Sequence, residues 1–208
     1  MPKGSEALTN ARREEIIDAC EKLYARLSFK EVTIKEIGKE TTFTRTSIYN
    51  YFQTKEEIFL ALITREFTRW NEALEKGLVM QPFDREALAE LLAESLAERE
   101  LLLKILSMNM FEIEAHSRLE RLIEFKQAFA RSFALIDALL KAADANLSEA
   151  ERVAFVYSFF PFMYGIYPYT AVTDKQRDAV AAVGFDFIEH TPRALIAQTV
   201  RKLLAVCP

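Results

Sequence analysis

Apolar residues recur at helical spacing in nearly every segment of this chain, and no stretch alternates as a half-buried strand does. Only 5 of the 208 residues are Gly and 6 are Pro, whereas half are hydrophobic. A chain with that much apolar material and so few helix breakers is expected to be all-α, with a substantial core and one or two domains. The longest apolar run, residues 158–172, is broken by Pro161, Gly165 and Pro168 and is too short to span a bilayer. The N-terminus carries no apolar signal segment. The chain is therefore read as soluble and cytoplasmic, with no membrane partner.

Capping signals divide the helical pattern. A first helix is expected over about 11–27, with Ile16, Ile17, Cys20, Leu23, Tyr24 and Leu27 at helical spacing. "TIKE" offers Thr33 and Glu36 as a capping box for a short helix to about 40. Thr44 can cap a third helix, whose narrow apolar face is Ile48 and Phe52. "TKEE" is a second box, Thr54 with Glu57, opening a long helix to about 78. "QPFD" at 81–84 is a break. Further helices are expected over about 84–97, 99–107 and 116–143, then from the box Ser148 and Glu151 to about 164. A loop over 165–173, a helix over 174–183 and a last helix with Thr191 as cap and Pro192 at its first position complete the pattern.

The stretch "TTFTRTSIYNYFQTKEE" is unusual within this series. It is too polar for a core helix, yet aromatic residues anchor its far end. Three short helices with a tight turn between the second and third describe a helix-turn-helix, whose third helix enters the DNA major groove. Thr44, Arg45, Thr46, Ser47 and Asn50 can hydrogen-bond base edges or phosphates, and Arg45 has the planar fork for a bidentate contact to guanine. Tyr49, Tyr51 and Lys55 can reach phosphates, and the N-terminus of the next helix, near Thr54 and Lys55, favours an anion. Polarity alone describes a solvated surface helix equally well.

Residues 14–63 resemble the DNA-binding domain of the TetR family of bacterial repressors. The likeness rests on "IIDACEKLYARLSFKEVTIKEIGKETTFTRTSIYNYFQTKEEIFLALI", with Thr33, Tyr49, Phe52 and Lys55 in the family's order and spacing. The resemblance implies phosphate contacts at Thr33, Tyr49 and Lys55 and base contacts at Thr44, Arg45, Ser47 and Asn50. It also implies a DNA-binding domain over 1–54 and a helical ligand-binding and dimerisation domain over 55–208. Two departures stand out. Leu27, Ser28 and Phe29 replace the glycine usual after the first helix, and Thr42 replaces the glycine of the turn. A β-branched residue resists positive φ, so the turn is expected to follow another backbone path.

The formal net charge is −4, but residues 1–60 hold ten basic and ten acidic side chains, so the acidity lies in the remainder. The helix "SEAERVAFVYSFFPFMYGIY" is apolar on more than one face, as a helix buried on several sides would be. Val153, Val156, Tyr157, Phe160 and Tyr164 form one row. With Leu195, Ile196, Thr199, Val200 and Leu203 of the last helix they are candidates for a homodimer interface, ordinary core packing being the alternative. An apolar effector pocket is expected from Trp70, Leu74, Ile105, Met108, Phe111, Phe125, Phe129, Phe133, Phe159 and Met163, with polar contacts from His116 and Tyr167. The same residues suit a packed core.

No P-loop, HExxH, GxSxG or dinucleotide fingerprint occurs, and the two histidines are far apart, so no catalytic residue, metal site or cofactor is expected. Cys20 is expected to be a core thiol and Cys207 an exposed one, without a disulfide. The sequence therefore points to a DNA-binding regulator. Its partners would be double-stranded DNA, a second copy of the chain and an aromatic or lipophilic small molecule. An architectural DNA-binding protein without an effector is the alternative.

Overall fold

The computed structural model describes residues 3–80, 82–108 and 110–205, with side chains described from residue 6; Cys207 lies outside them. Every regular element among the described residues is helical. In chain order these are α1 (Lys3–Tyr24), α2 (Ile34–Lys39), α3 (Arg45–Ile48), α4 (Lys55–Gly77), α5 (Arg85–Ala97), α6 (Glu100–Leu106), α7 (Met110–Ala115), α8 (Leu119–Ala143), α9 (Glu149–Gly165), α10 (Tyr167–Thr170), α11 (Asp174–Ala182) and α12 (Pro192–Ala205).

The chain forms two compact units. One comprises Met1–Arg65 together with Asn109–Gln127; the other comprises Glu66–Met108 and Ala128–Pro208. The expected single division after residue 54 differs from this arrangement. Part of α4 and a distant segment, α7 with the start of α8, belong to the first unit.

In the first unit α1 buries Ile16, Ile17, Ala19, Cys20, Leu23 and Tyr24, one face at helical spacing. Each such burial contributes roughly 1.5–3 kcal/mol for a large side chain. The Thr33 hydroxyl caps α2 by accepting from the Glu36 N–H. The Glu36 carboxylate does not complete the box; it takes Lys39 at 2.8 Å. Beyond α1, Phe29 fills the region where the family pattern has glycine. It is buried against the Phe59 ring at 4.7 Å, and Tyr24 meets the same ring edge-on at 5.1 Å. Thr42 needs no left-handed backbone, because no described non-glycine residue has a positive φ. The turn is instead tied by side chains: Glu15 accepts the Thr42 N–H, and the Thr41 hydroxyl lies within reach of the Gly38 and Phe43 carbonyls.

In the second unit α12 packs chiefly on α5 and also on α9, and α6 packs on α5, α9 and α10. Asp84 caps α5, Ser148 and Glu151 form the expected capping box of α9, and Thr191 accepts from Ala194 at the start of α12. Trp70, buried completely, donates its indole N–H to Ser95 at 3.1 Å. Asn71 donates to the Ala128 carbonyl and accepts from Ser132, so this buried polar cluster is paired. The expected loop over 165–173 contains α10, and α11 buries none of its residues.

Candidate nucleic-acid interface

α3 is a single turn held from below. Ile48 and Phe52, four residues apart, are fully buried. That anchoring turns the remaining positions outward: Thr44, Arg45, Thr46, Tyr49 and Asn50 are exposed, and Ser47 and Tyr51 half-buried. Thr44 occupies the N-cap position, but its hydroxyl faces the Ser47 hydroxyl at 3.0 Å and caps no backbone N–H. Arg45 extends its guanidinium to the Tyr49 hydroxyl at 3.3 Å. A donor fork, an amide and several hydroxyls thus share one solvent-facing turn, the inventory that reads base edges and phosphates.

Two of the expected phosphate-binding groups have partners of their own. The Lys55 ammonium donates to the Phe29 carbonyl at 2.8 Å and sits 4.1 Å from the centre of the Phe29 ring. At the start of α4 the Thr54 hydroxyl takes the Glu57 N–H and the Glu57 carboxylate takes the Gln53 N–H, so two backbone donors there are already occupied. Thr33 is exposed at the α2 cap.

Basic residues beyond those expected from the sequence surround this turn. Arg12 reaches the Tyr51 hydroxyl at 3.5 Å and lies 5.7 Å from the Phe43 ring centre. Arg13 and Arg121 stand 5.7 and 5.8 Å from the ring of buried Phe52, and both pair with Glu124. The "ARR" at residues 11–13 was a visible basic signal. Arg121 had none, because it joins the turn from seventy residues away.

The expected effector residues do not form one group. Trp70, Leu74, Ile105, Phe159 and Met163 are buried in the second unit, Tyr167 is half-buried there, and Met108 is on its surface. Burial, with the Glu100 charge, pushes the Tyr167 phenol up. Phe111, His116 and Phe125 belong to the first unit, where Phe111 is 84% exposed, His116 is exposed and Phe125 is buried. Phe129 and Phe133 instead join Tyr157, Phe160, Pro161 and Tyr164 around an open groove of about 450 Å³, so the expected pocket and dimer rows merge there. Phe133 stacks on Phe160 at 3.9 Å.

Of the other expected interface residues, Val153 and Tyr157 are exposed on α9 and Val156 is buried. Ile196 and Val200 are buried in α12, and Leu195, Thr199 and Leu203 are half-buried. Burial pushes the Cys20 thiol well up, which leaves it an inert core group. Among the described residues no cluster of three His, Cys, Asp or Glu can hold a metal, and no helix is long and apolar enough to cross a membrane.

The chain is 30% identical over 80 residues to the HTH-type transcriptional repressor AcnR of Corynebacterium diphtheriae, covering 38% of this chain and 42% of that one. It is 26% identical over 74 residues to the HTH-type transcriptional regulator QacR of Staphylococcus aureus, covering 36% and 39%. The chain spans 30% to 42% of the length of the curated relatives it matches. Among solved structures, the transcriptional regulator FadR of Bacillus subtilis in complex with stearoyl-CoA superposes with a TM-score of 0.62 at 17% identity, over 92% of this chain and 97% of that one. FadR of Thermus thermophilus in complex with lauroyl-CoA gives 0.56 at 21%, over 94% and 92%. At such identities the likeness establishes the fold. Family models described as "Bacterial regulatory proteins, tetR family" and "Tetracyclin repressor-like, C-terminal domain" match residues 16–62 and 64–205. Together they cover nearly the whole of what is described, and the chain belongs to the TetR family of bacterial transcriptional regulators.

Proposed function

We propose that this protein is a homodimeric repressor that reads a near-palindromic operator with α3 and is released by a lipophilic small molecule. The observation that carries the reading is the outward row Arg45, Thr46, Tyr49 and Asn50 on a turn pinned by buried Ile48 and Phe52. A rigidly anchored polar turn is what base reading needs, because a loosely held donor fork discriminates poorly. Two copies related by a two-fold axis would present this turn to successive major grooves about 34 Å apart. The aromatic groove between α8 and α9 supports an apolar partner, either the second subunit or the effector. Two fold relatives hold stearoyl-CoA and lauroyl-CoA, and an acyl chain is one form such an effector can take.

Selection of bound fragments from the source genome by purified protein at near-physiological salt tests the reading. Enrichment of a few near-palindromic sites is expected, with release on adding a long-chain acyl thioester or an aromatic lipophile. Uniform binding to all fragments would overturn sequence-specific regulation. Enrichment that no apolar compound reverses would favour the second reading, a DNA-binding protein without an effector. The close burial of Trp70, Leu74, Phe159 and Met163 is the observation on its side.

A further inference from the structure

We infer that Arg118 and Arg121, outside the helix-turn-helix sequence, are positioning residues for DNA reading, acting with buried Glu57 to hold the end of α3 against the start of α4. The inference rests on the DNA-binding reading above. It goes beyond the DNA-binding part of the family match, which ends at residue 62, because Arg118 and Arg121 lie in the part matched by the C-terminal model.

Glu57 is fully buried although it carries a carboxylate. Its Oε1 accepts from Arg118 Nε at 2.5 Å and from the Arg118 backbone N–H at 3.2 Å. Its Oε2 accepts from Arg118 Nη2 at 2.9 Å and from the Gln53 N–H at 2.7 Å. The carboxylate is thus saturated by the Gln53 N–H and by Arg118, which lies 61 residues from Glu57 in sequence. Arg118 Nη2 and Arg121 Nη2 also lie 3.4 and 3.5 Å from the Tyr51 carbonyl, in the turn that ends α3. The Thr54 hydroxyl donates to the His116 carbonyl at 3.0 Å, closing the same junction from the other side. The Arg121 guanidinium lies 5.8 Å from the ring of Phe52, one of the two apolar anchors of α3.

A four-residue helix cannot hold its own orientation, since isolated helices this short are unstable. Its tilt must come from its neighbours. Apolar packing of Ile48 and Phe52 fixes depth but tolerates rotation, whereas a bidentate arginine on a buried carboxylate fixes direction. Replacing a buried ion pair with apolar groups of similar size often leaves stability intact, so retaining it is consistent with geometry rather than stability being at stake. Arg118 and Arg121 are bound to Glu57, Glu120, Glu124 and the Tyr51 carbonyl, which argues against a role as phosphate contacts.

The test uses the full chain and an enriched genomic fragment. Arg118→Met, Arg121→Met, Arg118→Lys and the double variant Glu57→Gln with Arg118→Met are compared with the parent. Affinity is measured for the enriched duplex and for a scrambled duplex of equal length, each across a salt series. Specific affinity should weaken on the order of tenfold. Binding to the scrambled duplex and its salt slope should not change, because no phosphate contact is lost. Arg118→Lys keeps the charge but not the fork, so it should stay folded and still lose specificity. Should Arg118→Met fail to fold, Arg118→Lys and Arg121→Met carry the test. Parallel loss on both duplexes with a shallower slope would make these residues phosphate contacts and overturn the inference, as would specific affinity equal to the parent's in the folded variants. If the parent itself prefers no fragment, the DNA-binding reading falls and this inference with it, an outcome the parent curve alone reveals.

Discussion

Gly38 of α2 lies so close to Arg45 of α3 that a Cβ at position 38 would stand 3.2 Å from the Arg45 Cβ and 3.3 Å from its Cα. The absent side chain therefore sets how near the two helices of the turn approach. Gly38→Ala gains up to about 1 kcal/mol of helix propensity. It also forces α3 outward, at a cost of about 1–3 kcal/mol. The net expectation is a small loss of stability with a several-fold loss of operator affinity, read by calorimetry and fluorescence anisotropy on one preparation. Unchanged affinity would show that α3 tolerates the shift.

Arg45 and Tyr49 share a hydrogen bond on the exposed turn, yet different roles are expected of them. Arg45→Ala should relax preference at one base pair by about 1–3 kcal/mol. Tyr49→Phe should weaken binding to every sequence alike. Lys55→Ala should do the same and also lower the melting temperature, because the ammonium holds the Phe29 carbonyl and ring. A panel of single-base operator variants separates these outcomes.

Burial pushes the Glu57 carboxyl up, but hydrogen bonds from Arg118 and from the Gln53 and Arg118 N–H groups, with the guanidinium charge, outweigh it and hold it below the usual range. A carboxyl depressed in the folded state contributes stability above its unfolded value, near pH ~4.3, and loses it as pH falls through the folded value. The melting temperature should be level from neutrality to roughly pH 5 and fall below that. In Arg118→Met the burial remains without the guanidinium, which moves the carboxyl up towards or past its unfolded value, so this part of the acid-side fall should shrink or disappear. Coincident profiles for parent and variant would dissociate Glu57 from acid sensitivity.

Trp70 is the only tryptophan, and its indole N–H has Ser95 as partner. Ser95→Ala leaves a buried donor unpaired and should cost about 1–3 kcal/mol. For a chain of this size that is roughly 2–4 °C of melting temperature per kcal/mol. The same indole reports on the second unit, so its emission should shift if the effector proposed above binds there.

On α9, Tyr157 is 70% exposed and Val153 is 47% exposed. They share an exposed side of α9 with Ala154, Ser158 and Pro161, and large apolar groups left in water along one helix side are typical of a surface covered by a partner. Tyr157→Glu should raise the dimer dissociation constant at least tenfold by sedimentation velocity, since burying an unpaired carboxylate is costly. A dimer of unchanged strength would place the interface elsewhere.

Much of the secondary structure was legible because its causes are local. Ser148 with Glu151, Thr33 before α2 and Thr191 with Pro192 mark helix starts by chemistry acting within four residues. Ile48 and Phe52 announced the buried side of α3 by their spacing alone. α7 was not expected at all, and the helix expected over 116–143 begins instead at Leu119. At 116–118 the backbone leaves the helix because the Thr54 hydroxyl takes the His116 carbonyl and the Glu57 carboxylate takes the Arg118 N–H, partners some sixty residues away. The aromatic rows of α8 and α9 showed which faces are apolar, but a periodic pattern names no partner, so expected pocket and expected interface residues met in one groove. Caps, helix faces and the reading turn follow from short-range physics written in the chain. The inclusion of residues 109–127 in the DNA-binding unit, and the arginines they bring to α3, follow only from long-range contacts that tertiary packing selects.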